Sequence, residues 1–258
     1  LESKKRVYLK SSKSKCNVWI YGATGRLGGE ICAAASREDK VTLLGGNSSS
    51  IIVHGNNSGK KFTVDLLSNA TTDTSIIIDA STVEANLALL HFAEKTKQKK
   101  NFLICTTGLD EKTIKKWQLS ATKLGHTVLF APNTSVGILL MRQIIASFGA
   151  AFAKVGFTPA IFEIHHGKKK DSPSGTAKSI QSAVKKSMAT EAQMAAIRGG
   201  GNFGEHSLML LSDGEEIRLE HRALSRKLFG TGALRLANWL TKQKSGFYEL
   251  DDVAISEL

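Results

Sequence analysis

The segment Gly22-Ala-Thr-Gly25-Arg-Leu-Gly28 constrains this chain more than any other. It follows the apolar run Cys16–Tyr21 and opens a helical stretch that continues to about Arg37. A strand, a glycine turn and a helix in that order begin a βαβ unit of the kind that binds dinucleotides. Gly22 permits the tight turn, Gly25 lets backbone N–H groups approach a pyrophosphate, and Gly28 allows the helix to pack closely on the strand. The free N–H groups and the positive end of the helix dipole favour an anion there. Gly22, Ala23, Thr24, Gly25, Arg26 and Leu27 are therefore candidate cofactor residues. The competing reading is a tight βα turn without a ligand.

The rest of the chain keeps this rhythm to about Pro132. Short apolar runs at 41–46, 75–80, 101–105 and 126–131 alternate with helix-like segments at 83–97 and 111–124. Runs that are apolar on both sides suit parallel strands covered by helices on both faces. The fold class expected is α/β, a Rossmann-type doubly wound parallel sheet with a second, smaller α+β domain for substrate binding and oligomerisation. In that second part, a long apolar helix over about 135–153 precedes a strand at 160–165, a helix at 174–188, and alternating strands at 203–211 and 215–223. Asp213-Gly214 between the last two is a hairpin signal, so an antiparallel sheet is expected. An amphipathic helix at 232–240 closes the pattern. The expected division is a basic tail at 1–14, a dinucleotide-binding domain at 15–133 plus 230–258, and a substrate-binding and oligomerisation domain at 134–229. The stretch 188–204 reads as short, a trimmed part of the second lobe.

Composition removes several classes. With 41% hydrophobic residues, 23 Gly and 3 Pro in 258 residues, neither wholesale disorder nor a collagen-like repeat is possible. The net charge of +12 raises the question of nucleic acid. Residues 1–15 hold six bases against Glu2 alone, so +5 sits in the tail, and the lysine runs at 95–100 and 112–116 fit solvated helix faces. With 3 Tyr and 3 Trp and no aromatic-basic interleaving, no nucleic-acid partner is expected. Three scattered cysteines (Cys16, Cys32, Cys105) suit neither a disulfide framework nor a zinc site, so no metal is expected. No apolar run is expected to reach the roughly 18–20 residues that cross a bilayer. A cytoplasmic protein with no membrane partner follows.

The densest chemistry lies at Glu163-Ile-His165-His166-Gly-Lys168-Lys169-Lys170-Asp171-Ser-Pro173-Ser174-Gly175-Thr176. A Ser-Gly-Thr helix start offers free N–H groups, a hydroxyl and a positive dipole end to a substrate carboxylate. Lysines nearby lower the pKa of an imidazole, which still donates or accepts a proton near neutrality. A polyanion-binding loop is the rival reading. At the end of the second strand, Gly46-Asn47-Ser48-Ser49-Ser50 places no carboxylate where one would grip the ribose of NAD. Ser hydroxyls, with Arg26 in reach, suit a 2′-phosphate, so NADPH is slightly favoured over NADH.

With these motifs in view, the sequence resembles the dihydrodipicolinate reductase family. The resemblance rests on Glu163-x-His165-His166 through Ala177, with Ser172 where the family has Ala, and on Cys105-Thr106-Thr107-Gly108, where it usually has Gly-Thr-Thr-Gly. Ala131-Pro-Asn133-Thr134-Ser-Val-Gly137, Gly204-Glu-His206, and His221-Arg-Ala-Leu-Ser225-Arg226 extend it over most of 16–250. The resemblance implies NAD(P)H-dependent reduction of a cyclic dicarboxylate in lysine and diaminopimelate biosynthesis. It implies His165 as proton donor with Lys169 beside it, and His166, Lys169, Ser174, Gly175 and Thr176 on the substrate's carboxylates. The glycine-loop residues, Ser48, Cys105, Thr106, Thr107, Ala131, Asn133 and Thr134 would line the cofactor. It also implies a homotetramer joined through the second-lobe sheet, and a cleft closing on hinges near 132–135 and 226–231. A non-catalytic dinucleotide sensor is the alternative. A semialdehyde reductase is a further one, but it would need a cysteine at a helix start, whereas Cys105 falls at the end of a buried strand.

Overall fold

The structure is a computed structural model that describes residues 16–39, 41–47, 53–54, 61–62, 74–96 and 98–258. The expected tail at 1–14 and the serines at 48–50 lie outside the described residues. The first sheet joins β1 (Cys16–Tyr21), β2 (Val41–Asn47), β5 (Ile76–Asp79), β6 (Asn101–Ile104), β7 (Thr127–Phe130) and β12 (Gly246–Glu249). Their order is β12-β7-β6-β5-β1-β2, parallel throughout. Two further short strands, β3 (Val53–His54) and β4 (Lys61–Phe62), pair with each other.

The apolar runs form strands because both faces are covered. In β1, Val18 and Ile20 enter one core while Trp19 enters the other; in β5, Ile76 and Ile78 divide from Ile77 in the same way. Full burial of one such side chain stabilises by about 1.5–3 kcal/mol. The helices that cover them are α1 (Arg26–Ala35), α2 (Val83–Lys95) and α3 (Glu111–Leu124). On α3, Lys112, Lys115 and Lys116 are exposed, as expected for a solvated face. Lys100 departs from that expectation: it is buried after α2 has ended, and its N–H donates to His126 Nδ1 at 3.1 Å.

β2 lies to one side of β1, and β5, β6 and β7 lie to the other. The direction of winding thus reverses between β1 and β5, and ligands bind outside the carboxyl ends of strands at such a switch point. Tyr21 and Asp79, partners in register, end the two strands there.

The second sheet has the order β11-β10-β8-β9, made of β8 (Thr158–His165), β9 (Gln193–Arg198), β10 (Glu205–Leu211) and β11 (Glu216–Arg222). The β10–β11 hairpin at Asp213-Gly214 is as expected, but the sheet is mixed, because β8 and β9 run parallel. β9 falls within the stretch read as trimmed. One face of this sheet packs on α4 (Val136–Lys154) and α5 (Gly175–Met188). α4 corrects another expectation: 19 residues with mean hydropathy 1.7 are long and apolar enough to span a bilayer. Here Ile138, Met141 and Ile145 are spent on the second core.

α6 (Lys227–Leu240) begins a turn earlier than the amphipathic pattern, and it packs on α1. Gly230 is required there, since a Cβ would stand 2.3 Å from the Glu30 carbonyl oxygen. The two connections between the sheets meet at one place: Thr134 Oγ1 donates to Phe229 O at 2.8 Å, and a Cβ on Gly232 would stand 1.9 Å from Thr134 O.

Candidate active site

One cleft of about 1620 Å³ runs along the carboxyl ends of the first sheet and faces the second. Its first wall is the glycine loop. Gly22 adopts φ +89, and a Cβ there would stand 2.6 Å from Ala80 O, so the turn and the β5 end are pressed together. A Cβ on Gly28 would stand 2.1 Å from Gly22 O, which is the close helix–strand approach expected of that position. Gly25 caps α1 with no side chain on the first-turn N–H groups, whereas Thr82, Asp110, Ser135 and Ser174 cap α2 to α5 with side-chain oxygens. The one helix start left open among those five faces the cleft, and it fits a pyrophosphate.

Gly22, Thr24, Gly25, Arg26, Leu27, Cys105, Thr106, Thr107, Asn133 and Thr134 all line this cleft, as do His165, His166, Lys169, Gly175 and Thr176. Thus fifteen positions from both lobes, scattered over 155 residues of sequence, share one cavity. Three assigned residues do not line it. Ala23 and Ala131 are buried in the core beneath it, because alternate residues leaving a strand end point into the sheet's packing. Ser174 is buried too: its Oγ accepts from Ala177 N at 3.1 Å and sits 3.2 Å from His206 Nε2. It starts α5, directly before Gly175 and Thr176. Ser48 lies outside the described residues.

Beneath the first wall stands Asp79, fully buried. Oδ1 accepts from Ser81 N at 3.1 Å and from Ser81 Oγ; Oδ2 accepts from Asn86 Nδ2 and Thr106 Oγ1, both at 2.7 Å. Trp117 Nε1 donates to Asn86 Oδ1 at 3.1 Å. Burial raises the Asp79 pKa, and the bonds from Ser81, Asn86 and Thr106 oppose that rise. Burial, and then the Asp79 charge, push the Cys105 thiol well above its ordinary range. A thiol so protonated is a poor nucleophile, unlike the cysteine that semialdehyde-type chemistry would need.

The second wall is the end of β8 and the turn after it. Glu163 and His165 both point inward from β8, two residues apart, as strand alternation requires. Glu163 Oε1 accepts from Arg198 Nη2 at 2.7 Å and from Ser174 N at 3.0 Å. Oε2 approaches His165 Nδ1 to 2.6 Å, an ion-pair distance without hydrogen-bond alignment, and lies 3.8 Å from His206 Nε2. Burial alone would raise the Glu163 pKa, but Arg198, Ser174 and the neighbouring imidazole hold it below the usual value. Burial lowers His165, Glu163 opposes this, and Lys169 and Arg198 add to it. The lysine effect expected from sequence is present but secondary to burial. His206 is lowered to about 4, by burial and then by His165. Glu163, His165 and His206 bring three metal-capable atoms within 4.8 Å of one another. The guanidinium on the same carboxylate gives them the make-up of an ion-pair network.

Of the three lysines, Lys169 alone lines the cleft; Lys168 and Lys170 are exposed outside it. Lys169 Nζ is 2.9 Å from Asp171 Oδ1, and Gly175 N donates to Asp171 Oδ2 at 3.3 Å. A carboxylate of the chain itself is thus held by two of the donors assigned to a substrate carboxylate. Asn133 Nδ2 donates to Thr176 Oγ1 at 2.8 Å and ties the two walls together. Sequence reasoning missed Arg226 as a cleft residue; it lies 5.6 Å from the Phe203 ring centroid, and both line the cavity. It also missed Arg142, whose Nη2 meets Asp251 Oδ1 at 2.6 Å across 109 residues. An isolated arginine carries no local signal, although Arg226 lay within a quoted motif.

The family model described as Dihydrodipicolinate reductase, N-terminus, matches residues 16–134, and the one described as Dihydrodipicolinate reductase, C-terminus, matches 137–254. The chain belongs to the dihydrodipicolinate reductase family. It is 35% identical to the 4-hydroxy-tetrahydrodipicolinate reductase of Zymomonas mobilis, over 94% of this chain and 98% of that one. It is 33% identical to that of Bdellovibrio bacteriovorus, over 93% and 96%. A dipicolinate-bound dihydrodipicolinate reductase from a Paenisporosarcina species shares the fold, with TM-score 0.77 and 18% identity over 93% of this chain and all of that one.

Proposed function

We propose that this chain is an NAD(P)H-dependent oxidoreductase that reduces 4-hydroxy-tetrahydrodipicolinate to tetrahydrodipicolinate, in lysine and diaminopimelate biosynthesis. One observation carries the reading: a single cleft holds both the open α1 start and the His165–Lys169 pair, contributed by opposite walls. The glycine loop, Cys105–Thr107 and the 130–134 segment hold the dinucleotide, and the nicotinamide supplies a hydride when bound.

The chain's own residues supply position, charge and a proton. Lys169, His166, Thr176 and the N–H of Gly175 take the two substrate carboxylates, with a substrate oxygen replacing Asp171 on Lys169 and Gly175. Ser174, which fixes the start of α5, belongs to the same carboxylate-binding set. Glu163 holds the His165 ring by its Nδ1 side. Loss of the substrate's 4-hydroxyl as water gives the conjugated imine that is reduced; negative charge that builds on it as it accepts a hydride would be stabilised by Lys169, and His165 gives the proton. In the free protein burial keeps His165 largely neutral near pH 7, and a dianionic substrate raises its pKa, so binding loads the proton that the reaction uses.

The same proposal divides the chain at 15–133 plus 230–258 and 134–229, places it in the cytoplasm, and assembles it as a homotetramer through the second sheet. It favours NADPH slightly, through Arg26 and Ser48. The test is oxidation of NADPH or NADH by the purified chain on addition of the preceding synthase's product. Turnover is expected with both nucleotides; absence of turnover with either would refute the assignment.

A further inference from the structure

We infer that Asp79 is a fixed negative charge built under the nicotinamide end of the cleft, and that it favours the oxidised, positively charged ring over the reduced, neutral one. The inference rests on the dinucleotide reading above and adds a residue that the resemblance left without a role.

Burial raises the Asp79 pKa, and the donors around it oppose that rise and select the ionised form. Trp117 Nε1 can only donate, so Asn86 must turn its carbonyl oxygen to Trp117 and its NH2 to Asp79. The Ser81 backbone N–H likewise can only donate. Each carboxylate oxygen therefore receives an obligate donor, and hydroxyls from Ser81 and Thr106 add one more apiece. This is the environment of a carboxylate. Among the described residues no lysine or arginine pairs with Asp79, although it is completely buried. A buried charge is costly unless paired, and Asp79 has only neutral donors. Its field is left uncancelled toward the cleft.

The location follows from topology. In a doubly wound sheet the pyrophosphate sits on the first glycine turn and the adenosine ribose at the end of the second strand. β2 lies on one side of β1, so the other end of a dinucleotide extends over β5 and β6, toward the second wall. Asp79 ends β5 at the switch point, and the segments it holds, Ser81 and Thr106, line the cleft on that side. When the reduced ring gives up a hydride, two electrons and one proton leave for the substrate and the ring gains one positive charge. A negative charge beneath it, itself buried from water, stabilises that product and the transition state leading to it.

The experiment compares the oxidised and reduced forms of one nucleotide, which differ in ring charge while sharing their phosphates. Dissociation constants for both are measured by calorimetry on the full chain and on Asp79→Asn, with melting temperatures to verify folding. In Asp79→Asn the ratio of oxidised to reduced dissociation constants is expected to rise roughly 3–10-fold, the scale of one charge acting through a partly polar medium. Asp79→Ser, which also removes the charge and keeps an oxygen acceptor, should give the same shift and serves if the first variant does not fold. An equal change in both constants, or none, would reduce Asp79 to a loop anchor and overturn the inference. Failure of both variants to fold would likewise assign the carboxylate to structure alone. Wild type that binds neither form would instead refute the cofactor reading itself.

Discussion

Two buried carboxylates lie behind opposite walls of the same cleft and are handled in opposite ways. Asp79, under the first wall, is met by neutral donors alone and its pKa is raised by burial. Glu163, behind the second wall, is met by the Arg198 guanidinium and an imidazole, and these outweigh burial to lower it. The difference teaches which wall must change charge. A balanced cluster around Glu163 can pass a proton through His165 without leaving an isolated charge, whereas an unbalanced Asp79 acts by remaining as it is.

The sharpest way to break that contrast is to remove the proposed proton donor. His165→Gln is expected to lower kcat about 10²–10³-fold with little change in nucleotide dissociation constant, the usual scale of general acid catalysis. The wild-type pH profile belongs to the same test: an acid must be protonated, so activity falls as pH rises through its pKa. The decline in kcat/KM should lie at lower pH than the decline in kcat, because bound substrate raises His165. Wild-type kcat in the variant would remove His165 from the mechanism.

Next in size is the lysine triplet. Lys169→Ala should lower kcat/KM by about 10–100-fold through both parameters, while Lys168→Ala and Lys170→Ala stay within about three-fold, since a charge-assisted contact is lost only at the first. Equal losses at all three would describe a diffuse polyanion surface. On the opposite wall, Arg26→Ala should weaken NADPH more than NADH by several-fold, roughly one exposed charge-assisted contact, and Ser48→Glu should shift preference toward NADH. Calorimetry with both nucleotides checks this, and a wild-type preference for NADH untouched by either change would separate the loop from the 2′ position.

The smallest effect addresses the two acids directly. Glu163 is lowered on folding, so its contribution to stability is present above its unfolded pKa and lost as pH falls through the folded value. Asp79 is raised, so its contribution is present below its unfolded pKa and lost as pH rises through the folded value. The melting temperature of Asp79→Asn relative to wild type should therefore increase from pH 4 to pH 7, by roughly a few degrees, and that of Glu163→Gln should decrease. Slopes of the same sign would erase the contrast.

The elements that were legible in the sequence are those whose signal is local. β1, β5, β6 and β7 showed because runs rich in Ile, Leu, Val and aromatic residues suit a strand covered on both faces. β9 did not, since Gln193–Arg198 is an edge strand with no fully buried side chain, and burial is what creates an apolar pattern. β12 is four residues of partly exposed edge, too short for a periodicity. α6 was read short because its first turn has no capping side chain to announce it. In the site, the His-His-Lys segment was visible as a cluster of chemistry. Its Arg198 partner, 35 residues from Glu163, and the contact of Ser174 with His206 depend on how β8, β9 and β10 align, which no local pattern encodes.

The core under the first sheet also has a consequence for biosynthesis. Ala233, Leu236, Trp239, Leu240 and Val253 complete the cluster that begins with Cys16 and Val18. A ribosome makes β1 well before these residues, so that core lacks them, and the glycine turn is partly uncovered, through the synthesis of the entire second sheet. The second sheet's core uses only residues from Ile138 to Leu219 and can close while the chain is still emerging. The second core is thus complete in sequence before the first, and the wall that carries His165 can form before the wall that carries the glycine turn.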